Sequence, residues 1–297
     1  MKHCYWFWLF LEMMWIAPAF AQEVNDAGCT KNRSMVEGYF KSIDNNKEYS
    51  PNERMVAAAK YLLQTPYVAG TLDSDSGDEQ LTIDFCGMDC MTFVESCMAL
   101  SYASQLPYQL SYDDFVRELQ YIRYRDGRIQ GYTSRLHYAT DWIHNNVAKK
   151  MIENRTDSLG GKPFQPNVNF MTTHPDLYTR LKENRGNLET MNQIENRINQ
   201  SNNNYFIPCS QINATSSLIQ SGDIIFFTTN IPGLDVAHAG IAYWSQGKLC
   251  LIHASSTAKQ VVISDQSLSQ YCRSKKSFTG IIVLRTLPVM FTTIESD

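Results

Sequence analysis

The last third of the chain constrains the fold most, because the spacing of its apolar residues changes there. Short runs rich in β-branched and aromatic residues alternate with turn residues, at 222–227, 238–243, 249–253, 260–263 and 280–284. Upstream, apolar residues recur at helical spacing, for example after the N-cap pattern Ser50-Pro51. Helices followed by a meandering, mostly antiparallel sheet predict an α+β fold.

One cysteine lies where the pattern predicts the start of a buried helix. Asp89-Cys90 precedes apolar residues spaced as one helix face, including Phe93, Val94 and Cys97. A cysteine in a first helical turn faces free N–H groups and the positive end of the helix dipole, and both favour the thiolate. Cys90 is therefore the candidate nucleophile, and the competing interpretation is a small core side chain.

Two histidines fall on consecutive predicted strands, which are joined by a turn at Ser245-Gln246. With the turn centred there, Tyr243 faces Lys248 and His238 faces His253, so that one imidazole can hydrogen-bond the other. A cysteine nucleophile needs a base and a third group that orients the base. We assign these roles to His238 and His253, and a register slip of one residue would remove the pairing.

The first 21 residues have the features of a signal peptide. Lys2 provides the positive start, an apolar run follows, and Ala19-Phe20-Ala21 forms a small-x-small cleavage site. Glu12 and Pro18 interrupt the run, which is then too short to span a membrane. We therefore expect an exported protein, periplasmic or secreted, with no retained membrane segment.

Composition excludes several classes of function. The chain has 26 basic and 30 acidic residues and no dense basic cluster, which argues against a nucleic-acid partner. Eight cysteines become seven once Cys4 is removed with the signal peptide, and an odd number predicts a free thiol. The spacing of cysteines and histidines matches no structural zinc site, so we expect no metal and no cofactor.

Five stretches, in this order, resemble motifs of the papain-like, NlpC-type cell-wall hydrolases, and specifically of their secreted N-acetylmuramoyl-L-alanine amidase-like branch. They lie at 66–72, 89–95, 134–138, 234–240 and 253–255, and the similarity runs from about Pro66 to Arg285. The resemblance implies a Cys90-His238-His253 triad without metal, on a papain-like core. It also implies cleavage of the amide between N-acetylmuramic acid and L-alanine in peptidoglycan or its muropeptide fragments.

The resemblance also suggests residues that bind substrate. The hydroxyl of Tyr67 is expected to help hold the oxyanion beside the backbone N–H of the nucleophile. Arg135 is expected to bind a substrate carboxylate or sugar oxygen through its forked donors. Ser134, His137 and Tyr138 are expected to line the same pocket.

Other residues receive structural interpretations. Asp89 and Glu95 are expected to cap the helix and brace the adjoining loop. Cys86 is expected to place a second, oxidisable thiol near the nucleophile, and Cys250 with Cys272 is one possible disulfide. Residues 22–297 are expected to form a single domain, with a helical N-terminal addition and an insertion around 149–204 that packs one or two helices over the core.

The sequence leaves three other functions open. A γ-D-glutamyl-diamino acid endopeptidase would use the same triad, since the triad requires only an amide. A catalytically silent wall-binding protein would keep the fold. A lipid-directed acyltransferase is the third, although relatives of that kind often place histidine before cysteine. Whether the substrate is intact wall or a small or anhydro muropeptide, the disulfide pairing and the oligomeric state are also left open.

Overall fold

The computed structural model describes residues 24–43, 48–73 and 78–289. The predicted signal peptide lies outside these residues. In the part of the chain that is described, no helix is long and apolar enough to cross a membrane.

The helices are α1 (Asn32–Ser42), α2 (Pro51–Tyr61), α3 (Cys90–Ala103), α4 (Tyr112–Arg123), α5 (Ala139–Ala148), α6 (Phe170–Thr173), α7 (Thr179–Lys182), α8 (Arg185–Asn199), α9 (Ile212–Thr215) and α10 (Leu268–Ser274). The predicted start of α2 is confirmed by a capping box at Ser50 and proline at the first position. Asn146 is buried inside α5, and its side-chain nitrogen donates to the carbonyl oxygens of Trp142 in the same helix and of Ile122 in α4.

The strands are β1 (Val24–Asn25), β2 (Leu81–Thr82), β3 (Ile152–Asn154), β4 (Lys162–Pro163), β5 (Tyr205–Pro208), β6 (Ile224–Thr229), β7 (Val236–Ser245), β8 (Lys248–Ser255), β9 (Gln260–Ile263) and β10 (Phe278–Thr286). β1 and β2 form a small parallel pair. The main sheet is antiparallel, in the order β4-β5-β10-β6-β7-β8-β9, and β3 also pairs with β10. The predicted α+β class is confirmed.

The two faces of the main sheet carry different apolar clusters, because side chains alternate along a strand. Phe226 and Ala239 pack on the side of α3, in the largest cluster of the described residues. Phe227 and Leu251 face the other side, where they join Leu268 of α10. The sheet thus separates α3 from α10.

Residues 149–204, predicted as a helical insertion, begin with two strands of the main sheet, β3 and β4. The helices α6, α7 and α8 follow and form a third apolar cluster, in which Met191 and Ile194 of α8 contact Tyr138. The predicted insertion is therefore attached to the core on one side and adjoins the candidate site on the other.

Two disulfides correct the cysteine predictions. Cys29 is bonded to Cys86, so Cys86 is not an oxidisable thiol. Cys272 is bonded to Cys209 and not to Cys250, whose thiol is free and buried. The predicted free thiol is confirmed at Cys90.

Candidate active site

Cys90 is the first residue of α3, as predicted. The carboxylate of Asp89 accepts hydrogen bonds from the backbone N–H groups of Met91 and Thr92, at 3.0 and 2.8 Å. Asp89 is thus the N-cap of α3, which confirms its predicted structural role. Most of the helix beyond this turn is buried, and the Cys90 side chain is half-buried at the edge of a cleft.

The electrostatics of Cys90 differ from those expected at a helix N-terminus. Burial, and then the charge of Asp89, raise the pKa of the Cys90 thiol to about 12. Backbone N–H groups of Ala239, Cys90 and Met91 lower the pKa, but by less. The N–H groups of the helix start therefore favour the thiolate, as expected, but burial and Asp89 outweigh them, and Cys90 is a thiol at neutral pH in the resting site.

The two histidines meet as predicted, although the predicted register is wrong. Their closest atoms, Nε2 of His238 and Nδ1 of His253, are 2.8 Å apart. Tyr243 pairs with Cys250 rather than with Lys248, because the hairpin turns at Gln246-Gly247, where both residues have positive φ. This shift of two residues keeps both histidines on one face of the sheet.

Both imidazoles are neutral in the resting site. Burial, the neighbouring His253 and the charge of Lys275 lower the pKa of His238 to about 3. Burial and Lys275 lower the pKa of His253 to about 4. A neutral His238 is able to accept a proton, and its Nδ1 remains available because Nε2 faces His253.

Cys90 and His238 line one cleft of about 290 Å³ at the start of β7. The backbone N–H of Ala239, the residue after His238, acts on the Cys90 thiol. The imidazoles lie on the side of the sheet that carries Phe227, whereas α3 packs on the opposite side. Among the described residues, no hydrogen bond joins the Cys90 thiol to His238. The two side chains are related by lining the same cleft.

Tyr67 lies beside the nucleophile. Burial, and then the charges of Cys90 and Asp89, raise the pKa of its hydroxyl. Its backbone pairs with Met88, two residues before Cys90, and its N–H donates to the carbonyl oxygen of Lys259. These contacts place the backbone of Tyr67 beside the segment that leads to Cys90, although Tyr67 is not among the residues that line the cleft. Its role at the oxyanion stays a prediction.

Arg135 lines the cleft, but its charge already has partners. Its Nε is 3.0 Å from a carboxylate oxygen of Glu79, and an Nη is 3.3 Å from Asp73. The guanidinium is buried and also lies 5.2 Å from the ring centre of Tyr132. Arg135 therefore shapes the cleft wall, and a substrate anion would have to compete with two carboxylates.

The remaining three predicted residues divide between two places. Ser134 lies in a neighbouring cavity and not in the cleft, because its hydroxyl closes a turn by donating to the carbonyl oxygen of Gly131. His137 and Tyr138 line the cleft as expected. The hydroxyl of Tyr138 donates to Glu195 at 2.8 Å, which ties the cleft to α8.

Several cleft residues were not predicted. Met171 and Tyr178 come from the segment predicted as an insertion, and Asp235 lies at the start of β7. The carboxylate of Asp235 is buried and accepts the backbone N–H of Thr140 at 2.7 Å. The sequence motif at 234–240 includes Asp235, whereas no local motif marks Met171 or Tyr178.

Comparisons with known proteins agree on the family. The AmiA-like family, described as N-acetylmuramoyl-L-alanine amidase-like, matches residues 57–281. An N-acetylmuramoyl-L-alanine amidase from Bacteroides uniformis is 40% identical, with 80% of this chain and 99% of that chain covered and a TM-score of 0.76. A Bacteroides fragilis protein provisionally named a xylanase is 41% identical, with 78% and 100% covered and a TM-score of 0.73.

A Legionella pneumophila protein shares the fold at 23% identity, with 86% and 94% covered and a TM-score of 0.65. The search of curated proteins finds no match. The family match spans well over half of the chain and includes Cys90, His238 and His253. The chain therefore belongs to the AmiA-like, N-acetylmuramoyl-L-alanine amidase-like family.

Proposed function

We propose that this protein is a cysteine amidase that hydrolyses the amide between N-acetylmuramic acid and L-alanine in peptidoglycan or its muropeptide fragments. The observation that carries the proposal is a free cysteine at a helix N-terminus that shares a cleft with His238, which is hydrogen-bonded to His253. Membership of an amidase-like family supports the same bond. The substrate class and the triad are proposals.

In the first proposed step, the Cys90 thiol gives its proton to Nδ1 of His238 while its sulfur attacks the lactyl carbonyl carbon. The resulting oxyanion is held by the backbone N–H of Cys90 and the hydroxyl of Tyr67. The imidazolium then protonates the leaving amine of L-alanine. A thioester on Cys90 remains, and water activated by His238 hydrolyses it.

The resting pKa values determine how the first step occurs. The thiol has a pKa of about 12 and the imidazole a pKa of about 3, so a stable ion pair does not form between them. The proton therefore moves as the thiolate attacks, and not before. Hydrogen bonds between a nucleophile and its base tighten when substrate binds, which brings Nδ1 of His238 to the thiol.

Glycoside hydrolysis, suggested by the name of one similar structure, is disfavoured by the carboxylates of the cleft. That reaction needs one carboxylic acid and one carboxylate free to act on the sugar. Asp89 caps α3, Asp235 accepts the N–H of Thr140, and Glu95 forms a buried ion pair with Arg123. The fourth cleft carboxylate, Asp73, pairs with Arg135 at 3.3 Å. Each of these carboxylates is already engaged in holding the fold.

We extend the proposal to the fold family and the location of the protein. A cysteine at the start of a helix packed on an antiparallel sheet, with two histidines on adjacent strands, supports a papain-like, NlpC-type core within a single domain. The two disulfides are typical of exported proteins and support a periplasmic or secreted location after removal of residues 1–21.

Digestion of a defined muropeptide panel tests the proposal. The wild-type protein is expected to release free peptides that begin with L-alanine, as identified by mass, and Cys90→Ala is expected to release none. Cleavage inside the peptide stem would favour the γ-D-glutamyl-diamino acid endopeptidase and contradict the amidase assignment. Release of peptide by Cys90→Ala would contradict the nucleophile.

A further inference from the structure

The short helix α10 lies against the histidine pair and is fixed on both sides. Leu268 and Cys272 are buried in the cluster on the far side of the sheet from α3. Cys272 is also bonded to Cys209, which ties the helix to the end of β5. Tyr271 precedes this bonded cysteine, so its backbone has little freedom to move.

The ring of Tyr271 contacts both histidines. Its centre is 5.0 Å from that of His253, edge to face, and 5.9 Å from that of His238. It also packs on Phe227 at 5.4 Å and on Phe278 at 6.2 Å. Aromatic pairs at these separations attract one another and favour a particular orientation.

These rings complete the surroundings of the base. The imidazole of His238 has a single hydrogen bond among the described residues, to His253, and it stacks parallel to Phe278 with centres 6.3 Å apart. A ring held by one hydrogen bond can still rotate about its side-chain torsions unless packing prevents it. Tyr271 supplies that packing on the His253 side.

Tyr271 also lies near the nucleophile. Burial, and then the charge of Cys90, raise the pKa of its hydroxyl to about 12. The charged and titratable groups that act on the histidine pair are the two imidazoles themselves and Lys275, which follows α10. Lys275 lies 5.9 Å from the ring centre of Tyr271, so this helix end adjoins the histidine pair.

We propose that Tyr271 is a positioning residue for the reaction. Its ring holds His253 in place, and His253 in turn holds His238 through their hydrogen bond. That bond uses Nε2 of His238 and leaves Nδ1 of His238 for the Cys90 thiol. This inference rests on the proposed amidase function and adds to it a residue from outside the five sequence motifs. The proposed role belongs to the aromatic ring and not to the hydroxyl. Removing the ring should therefore lower the reaction rate, whereas removing the hydroxyl should not.

Two matched substitutions test the role, Tyr271→Leu without the ring and Tyr271→Phe without the hydroxyl. On a muropeptide that the wild type cleaves, Tyr271→Leu is expected to lower kcat by about 10²-fold with little change in KM, because the base is misplaced and the substrate pocket is not. Tyr271→Phe is expected to retain kcat. Tyr271→Met, which fills irregular space, replaces the leucine variant if that variant does not fold.

A second readout does not depend on activity. In the Cys90→Ala background, the imidazole proton shared by His238 and His253 is followed by NMR. The resonance of this proton is expected to be visible in the parent and in Tyr271→Phe. In Tyr271→Leu the resonance is expected to disappear, because the proton exchanges with water. An unchanged resonance together with unchanged kcat in the leucine variant would overturn the proposal, as would an equal loss of kcat in Tyr271→Phe.

The two readouts also separate this inference from the proposed function. A wild type that cleaves no muropeptide contradicts the amidase, while the NMR comparison still shows whether Tyr271 orders the histidine pair. A wild type that cleaves the amide, with a leucine variant that is fully active, contradicts the positioning role alone.

Discussion

Cys90 is a thiol in the resting site because burial outweighs the helix N-terminus. The N–H groups of the first turn stabilise a thiolate, but Asp89 occupies that turn as the N-cap and adds a negative charge beside the sulfur. A helix dipole is worth about 0.3–1 kcal/mol at an exposed site, less than the cost of burying an anion. The base is therefore essential to generate the nucleophile.

The protonation state of Cys90 predicts how alkylation depends on pH. Because the thiol pKa is raised to about 12, the thiolate fraction, and with it the rate of alkylation by iodoacetamide, should rise about tenfold per pH unit between pH 7 and pH 9. Mass spectrometry of the Cys90 peptide measures that rate, and Cys90→Ala is the control. A rate that is already constant near pH 7 would indicate a preformed thiolate and contradict the account.

At the scale of elements, α3 is fixed by a buried ion pair. Glu95 accepts from Nε of Arg123 on α4 at 2.6 Å and from the indole N–H of Trp142 on α5 at 3.2 Å. Both charged side chains are almost completely buried, at 3% and 2% exposed. Glu95 thus has a structural role, as predicted, but it links α3 to α4 and α5 and does not brace the adjoining loop.

Breaking this pair should be costly. Glu95→Gln leaves the charge of Arg123 buried without a counterion and is expected to lower the free energy of unfolding by about 3–5 kcal/mol. Glu37→Gln, in an exposed pair with Arg33, is the matched control and should cost about 0.5 kcal/mol or less. Urea denaturation measures both, and a loss of under about 1 kcal/mol for Glu95→Gln would contradict the interpretation.

The helix and strands that carry the proposed triad could be predicted from the sequence, because helix capping and strand alternation depend only on residues that are close along the chain. Capping residues marked the start of α3, and alternation marked β7 and β8. The hairpin register was missed by two residues because Ser245-Gln246 and Gln246-Gly247 are both plausible turns, and the positive φ at Gln246 decided between them. The sequence predicted one or two helices in the insertion but did not locate α8, although Leu188, Met191, Ile194 and Ile198 recur at helical spacing.

Contacts between distant segments could not be predicted in this way. The sequence predicted that Arg135 binds a substrate oxygen, but it did not reveal that Glu79 and Asp73, more than fifty residues upstream, pair with its guanidinium. Tyr271 meets the histidines only because the sheet brings α10 against them. Nothing in the local sequence around either residue encodes those partners.

At the scale of the whole molecule, two disulfides close loops with sequence separations of 57 and 63 residues. One joins the N-terminal addition to the segment just before Cys90, and the other fixes α10. A disulfide that closes a loop of this length is expected to add about 4 kcal/mol to the free energy of unfolding, because it lowers the entropy of the unfolded chain.

Reduction should therefore lower the melting temperature substantially. Calorimetry with and without a reductant measures the effect, and a Cys29→Ala/Cys86→Ala double variant should account for part of it. A melting temperature that does not change on reduction, with free thiols confirmed by mass, would contradict the predicted contribution. Cys250→Ala is the control for a cysteine outside both disulfides.

The acyl group that Cys90 carries during turnover tests the central claim most directly. Acid quenching of the wild type during muropeptide turnover, followed by mass analysis of the Cys90 peptide, should show a thioester to the lactyl group of N-acetylmuramic acid. A thioester to the L-alanyl-γ-D-glutamyl part of the stem would instead identify an endopeptidase. Product formation with the acyl group on another residue would contradict Cys90 as the nucleophile.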